Sequence, residues 1–319
     1  MIKNHLRSIL LSERSNLLMT SECYTEAFID CFPMTNQDVI KPLSWWNEIP
    51  TYKQETTKAL EKIRTLAQDK DICITDNYHA EDIPVGSLAY YRIFGTILAD
   101  DAYFWYFSTK QFERDILASE ANPAIACHFL HINSGGGEAW YLDRISETLR
   151  NCAKPIYTLC EHFCCSAAYY IGVHGNSFKS LTQNDTLGSV GTMISFWDLQ
   201  KYYEQLGFKW IEVYADQSDL KNKKSRDLKD GKPKQYKEEI LNPLTDQFIK
   251  EIKMSRASLN TLPADHPVFR GESFTALPSI DNGLIDGLTT FADAIAEAST
   301  MAQGYISTLN LRHNISSLL

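Results

Sequence analysis

The sequence predicts an α/β fold built on a largely parallel sheet. Two patterns point to it: apolar, β-rich runs alternate with helical stretches from Ser87 onward, and two strand-to-helix junctions are crowded with glycine, alanine and serine. Composition agrees, because 319 residues with 44% hydrophobic and 12% aromatic side chains are ample for a packed core.

The elements follow in chain order. Residues 1–85 are polar and irregular, with Pro33, Pro42, Pro50 and the pair Trp45-Trp46 between short helical stretches, and read as an N-terminal helical arm or cap. Residues 86–300 form the expected main domain, and 301–319 a C-terminal tail. Leu88–Leu98 is rich in β-formers and reads as a strand. Thr109–Ser119 reads as a helix, and Ala126–Ile132 as a buried strand ending at the turn Gly135-Gly136-Gly137. Glu138–Arg150 is an amphipathic helix with Trp140, Ile145 and Leu149 near one face. Pro155–Cys160 is a strand and Ser166–Val173 a helix. Further strands are expected at Leu187–Phe196 and Lys209–Tyr214, separated by a helix over Asp198–Leu206. A charged helix over Lys234–Leu259 and a segment to Ala298 close the domain.

The formal charge of -9 and pI near 5.4 exclude bulk electrostatic capture of nucleic acid or anionic lipid. Eight cysteines, two of them adjacent at Cys164 and Cys165, lie largely in apolar runs and read as reduced residues of a cytoplasmic protein. No CxxC pair or zinc-type Cys/His spacing occurs, so neither a metal nor a cofactor is expected. Ile9-Leu10-Leu11 and Leu17-Leu18-Met19 are interrupted by Ser12–Asn16, which breaks any signal-peptide core or membrane span.

Each junction offers chemistry at the carboxyl end of a strand, where open α/β sheets build their sites. At His131–Gly137 three glycines strip the backbone of Cβ atoms, so that N–H groups can approach a ligand oxygen, as an oxyanion hole requires. A plain glycine turn or a phosphate cradle satisfies the same pattern. At Phe163–Tyr170, Ser166 precedes two alanines at a helix start, where the positive end of the dipole favours an alkoxide; an N-cap serine is the bland equivalent. Cys165 is an alternative nucleophile set in apolar surroundings. His128, His131, His162 and His174 are poorly spaced to serve as the base. A lysine serves if burial keeps it neutral; Lys221, Lys223 and Lys224 follow the 209–214 run, in a charge-rich stretch that also fits a solvated loop.

Taken together, these residues resemble the signal peptide peptidase A family of serine peptidases, in particular its phage branch of minor capsid protein C and head-maturation proteases. The resemblance rests on Asn133–Gly137, Lys154-Pro155, Ser166-Ala167-Ala168-Tyr169, Gly188-Ser189-Val190-Gly191, Val268–Gly271 and Gly283–Asp286, in family order from about residue 87 to 298. It implies a crotonase/ClpP-like fold of repeated ββα/βαβ units and a Ser/Lys dyad, with Ser166 as nucleophile and Lys221 as base. It places the oxyanion between the N–H groups of Gly136 and Ala167, with Gly135, Gly137 and Ser218 in support. The sequence departs from the family twice: Gly135 stands where the family has proline, and Tyr214–Asp219 displaces the usual lysine toward Ser218-x-x-Lys221. The resemblance further implies protein or peptide substrates such as scaffold or capsid proteins, and a ring or dome homo-oligomer in host cytoplasm or virion. A crotonase-type acyl-CoA enzyme and an inactive capsid-associated protein are the competing readings.

Overall fold

The computed structural model describes residues 17–19, 52–100, 106–196, 198 and 200–316. Pro33, Pro42, Pro50, Trp45-Trp46 and Ile9–Asn16 lie outside the described residues.

Ten strands form one sheet: β1 (Leu17–Met19), β2 (Ile74–Thr75), β3 (Ser87–Leu98), β4 (Phe107–Ser108), β5 (Ile125–Glu138), β6 (Ile156–Cys165), β7 (Ser177–Ser180), β8 (Thr186–Gly188), β9 (Ser273–Thr275) and β10 (Gly287–Leu288). The main path runs β10-β7-β6-β5-β3-β2 and is parallel throughout. Strands β8 and β9 pair antiparallel beyond β6, and β1 lies antiparallel on β5. The helices are α1 (Tyr52–Gln68), α2 (Thr109–Ala121), α3 (Leu142–Arg150), α4 (Ala167–Gly172), α5 (Gln200–Gln205), α6 (Lys223–Lys229), α7 (Asn242–Ser255), α8 (Ala276–Asp281) and α9 (Phe291–Ser316). This mixed, mostly parallel architecture is of the crotonase/ClpP-like type.

Parallel strands buried on both faces read as continuous apolar runs, and β3 and β5 do. One face sends Ala89, Tyr91 and Ile93 of β3 and Leu130 and Ile132 of β5 against Phe112, Ile145, Ala168 and Phe248. The other sends Leu88, Tyr90, Phe129, Tyr157 and Leu159 against Leu60 and Ile63 of α1 and Ala294, Ile295 and Ala298 of α9. Burying one side chain such as Ile63 stabilises the fold by about 1.5–3 kcal/mol. Residues 52–75, within the stretch the sequence assigns to the arm, thus supply a helix and a strand to the sheet, and α9 continues through the segment read as a tail.

Several elements depart from expectation. Strand β5 does not stop at Ile132 but runs through the glycines, because Gly136 and Gly137 pair with Thr96 and Ile97 of β3. Helix α3 accordingly begins only at Leu142, and Trp140 is exposed, with the Lys110 ammonium 4.2 Å from its ring. The strand expected over Leu187–Phe196 ends at Gly188, because Gly188 and Ser189 both take positive φ. No strand forms over Lys209–Tyr214: the run has no neighbour to pair with among the described residues, and Trp210, Ile211 and Val213 are exposed.

A charged cluster crosses the sheet beneath α1 and α9. Glu161 Oε2 lies 2.9 Å from both Arg92 Nη2 and His131 Nε2, and Tyr90 Oη lies 2.8 Å from His131 Nδ1. Burial, reinforced by the Arg92 charge and only partly opposed by Glu161, pushes the His131 imidazole down to about 4. Near α7, burial opposes the Glu251 charge, but His174 and Arg150 outweigh it and hold that carboxyl at about 2. Both groups bind protons less readily folded than unfolded, so both lose stability on acidification. The loss is expected to begin near pH 6.5, the ordinary imidazole value, and to continue through about 4 for His131, then from the ordinary carboxyl range toward 2 for Glu251. Urea midpoints between pH 7.5 and 3.5 should therefore fall steadily. His131→Gln should flatten the upper part of that slope and leave the lower part.

Candidate active site

Strand β6 carries Ser166 into place and then ends abruptly. Ser166 has φ 54° and ψ -120°, outside the helical and strand regions, and α4 starts at the next residue. A serine held there is strained by roughly 1–3 kcal/mol, so the surroundings must enforce it. Its side chain makes no capping bond to the helix, which removes the N-cap explanation. A sharp strand-to-helix turn that turns a serine away from its own helix is the geometry of a nucleophile elbow.

Neighbouring loops enforce the turn. Ser166 N–H donates to Gly188 O at 2.8 Å, and Ser189 N–H donates to Glu272 O at 2.8 Å, tying the Gly188–Gly191 motif to both the serine and β9. One step upstream, β6 kinks at His162, with φ 78°, where it changes neighbours from β7 to β8. Buried Asp185 holds that kink: it accepts from His162 N–H at 3.1 Å, Ser180 Oγ at 2.6 Å, Thr182 N–H at 2.9 Å and Thr182 Oγ1 at 2.8 Å. Downstream, Tyr169 Oη donates to Leu284 O at 2.9 Å, and Asp286 accepts Phe178 N–H at 2.7 Å, so the closing Gly283–Asp286 motif braces α4 and β7. Asp185 and Ser189 were missed as site residues. The visible signal for Ser189 was its place in the Gly-Ser-Val-Gly motif.

The glycine run stands next door. Ser134 pairs with Cys164, so in parallel register Gly136 is level with Ser166. Gly136 has φ 108°, and a Cβ on Gly137 would fall 2.0 Å from Ile97 O, so this backbone must be bare. The run is a bulged strand and not the expected turn; Ser134 Oγ stitches the bulge by donating to Gly95 O at 2.6 Å and accepting Gly136 N–H at 3.1 Å. On the Ser166 side, the N–H groups of Ala167, Ala168 and Tyr169 precede the first helical bond, Tyr170 N–H to Ser166 O at 2.9 Å.

The amines lie elsewhere. Lys221 is exposed, in a loop where its N–H donates to Ser218 O at 3.0 Å; neither its Nζ nor Ser218 Oγ bonds to Ser166 among the described residues. Lys223 is paired with Asp227, and Lys224 with Glu239 at 2.5 Å, which leaves Lys221 as the one of the three without an ion pair among the described residues. Lys154 is buried and its ammonium is pushed down by that burial, but it donates to Ser119 O and Asn122 O at the opposite end of the sheet. No histidine bonds to Ser166 among the described residues: His128 meets Glu120 and Tyr91, His131 meets Tyr90 and Glu161, His174 meets Ser146 and Glu251, and exposed His162 lies tilted against the Phe163 ring. Cys165 is fully buried and its thiol donates to Thr186 O. Glu120, His128 and Cys152 bring ligand-type atoms within 4.8 Å of one another, yet Glu120 is committed to His128 Nε2 and to the N–H groups of Ala153 and Lys154.

A crotonase/ClpP-like sheet, a serine on a strained elbow and a bare glycine strand beside it define an acyl-transfer type of site. The family comparison adds to this: the model of Peptidase family S49 matches residues 148–304, so this stretch is similar to serine peptidases of the signal peptide peptidase A type. The matched stretch contains Ser166, Gly188–Gly191 and Lys221, while the glycine run lies just upstream of it. No curated protein matches the chain.

If Asp185 sets the kink that delivers Ser166, Asp185→Ala leaves buried donors without acceptors. Stability should fall by on the order of 3 kcal/mol, measured by urea denaturation. Asp185→Asn, which keeps an acceptor oxygen, should lose distinctly less.

Proposed function

We propose that the protein is a serine endopeptidase in which Ser166 attacks the scissile carbonyl, Lys221 removes its proton, and the N–H groups of Ala167 and Gly136 receive the oxyanion. The observation that carries this reading is the uncapped, positive-φ Ser166 at the end of β6. For Gly136 to serve, its N–H must turn from Ser134 Oγ toward the substrate oxygen. Gly135 and Gly137 keep the strand bare, and Ser218 holds the Lys221 loop through its carbonyl.

Within one chain Lys221 is exposed and its ammonium has no ion pair or hydrogen bond among the described residues, so in this reading the dyad is completed by assembly: Lys221 of a second copy faces Ser166 of the first. Support comes from the stretch before it, where Tyr202, Tyr203, Leu206, Phe208, Trp210, Ile211, Val213 and Leu220 are all exposed. An apolar surface this dense in a folded protein is the mark of an interface. The 209–214 run, which has no strand neighbour among the described residues, gains one there. The substrates that best fit the resemblance are scaffold or capsid-assembly proteins cleaved in the host cytoplasm during phage head maturation. No helix among the described residues is long and apolar enough to cross a membrane.

A fluorophosphonate probe should label the protein once per chain, read by intact mass, and Ser166→Ala should abolish labelling. Lys221→Ala should lower kcat for peptide cleavage by about 100-fold or more with the fold intact, as loss of a general base does. Mixing the Ser166→Ala and Lys221→Ala proteins under exchanging conditions should restore part of the activity, since some interfaces then pair an intact serine with an intact lysine. Full activity of Lys221→Ala would remove it from the mechanism, and failure of the mixture to recover would place the base within one chain.

A further inference from the structure

Where β5 and β6 part company, β5 is left with a vacant edge. Their pairing ends at Ser134 and Cys164, because β6 turns off into Ser166 and α4, while β5 continues through Gly136, Gly137 and Glu138. One side of that extension is taken by Thr96 and Ile97 of β3. On the other side lies the chain's own β1, antiparallel, with Leu17 opposite Glu138, Leu18 opposite Gly137 and Met19 opposite Gly136.

This edge is the one an extended peptide would need. An added strand bonds through main-chain groups, and a backbone bare of Cβ atoms, as at Gly136 and Gly137, offers them without obstruction. Gly136 is level with Ser166, so β1 runs from Leu17 toward the serine and its Met19 end is at the nucleophile's level. At Glu138, the partner of Leu17, a cavity of about 400 Å³ opens, lined by Trp140, Leu142, Leu244 and Phe248 together with the polar Asp143 and Gln247, with room for a side chain. Ser166 itself is only 2% exposed.

We propose that Leu17–Met19 is a built-in occupant of the peptide-docking edge at Gly136–Glu138, and that substrate, an extended segment with consecutive apolar residues, must displace it to reach Ser166. The proposal rests on the peptidase reading above. A tethered strand competes at an effective concentration on the order of millimolar, so it raises the apparent KM without touching the chemical step.

The test uses the full chain with Leu18→Pro, and separately with Leu17→Pro and Met19→Pro together, so that between them every β1 N–H is lost. Two readouts are taken. Hydrogen exchange over residues 133–140 should quicken by about 10-fold or more in at least one variant. In the same variant the apparent KM for a fluorogenic peptide containing Leu-Leu-Met should fall several-fold, with kcat within about twofold. A synthetic peptide of residues 15–24 added in trans should inhibit that variant competitively, and the same peptide carrying Leu18→Glu should not.

Unchanged exchange in both variants overturns the proposal, as does quickened exchange with an unchanged KM. Quickened exchange in a protein that neither cleaves peptide nor takes up the fluorophosphonate sinks the peptidase reading instead, and leaves β1 as the occupant of the edge.

Discussion

The structure depends on one strained residue. Ser166 occupies a backbone conformation that a serine adopts only under compulsion, and the compulsion is a ring of hydrogen bonds contributed by segments far apart in the chain. Gly188 O takes its N–H, Asp185 fixes the kink four residues before it, and Leu284 O anchors the helix that follows through Tyr169. Each of these partners sits on a turn at the carboxyl end of the sheet. The core on both faces exists to keep those turns in register. If the elbow relaxed to ordinary helix or strand geometry, the hydroxyl would cap α4 or disappear into the sheet.

The same kink explains why the sheet splits. Strand β6 changes neighbours from β7 to β8 at His162, then stops at Ser166. Strand β5 does not stop, because the bulge stitched by Ser134 lets Gly136 and Gly137 stay paired with β3. The nucleophile and an open strand edge are thus products of a single topological event, which is why β1 can lie where it does. A peptide laid along that edge would be held by main-chain bonds and would need little from its side chains beyond the cavity past Glu138.

Much of this was legible in the sequence, for identifiable reasons. Apolar runs at 88–98, 126–132 and 155–160 read as buried parallel strands because both of their faces are in fact covered. Ser166 stood out because alanines at 167 and 168 leave room only for a tight helix start. The glycine run misled in one respect: three glycines resemble a turn, but here they are a strand whose neighbour's backbone approaches too closely for any Cβ. Sequence spacing carries no information about that approach. Nor does it show Asp185, which looks like any loop aspartate until the chain closes around it. The 209–214 segment has the composition of a strand but lacks a partner among the described residues, and pairing is a property of the fold, not of a segment.

That last discrepancy bears on the chemistry. A neutral lysine near a serine requires desolvation, and Lys154, whose ammonium burial pushes down, lies at the wrong end of the sheet. Lys221 is exposed among the described residues, so in the proposed dyad a second copy would have to supply its desolvation. The adjoining surface is apolar and unpaired, which makes a second copy able both to cover it and to dry the amine. Activity would then be conditional twice over. Assembly supplies the base, and withdrawal of β1 admits the substrate, so that a single free chain with its own strand in place cannot cleave.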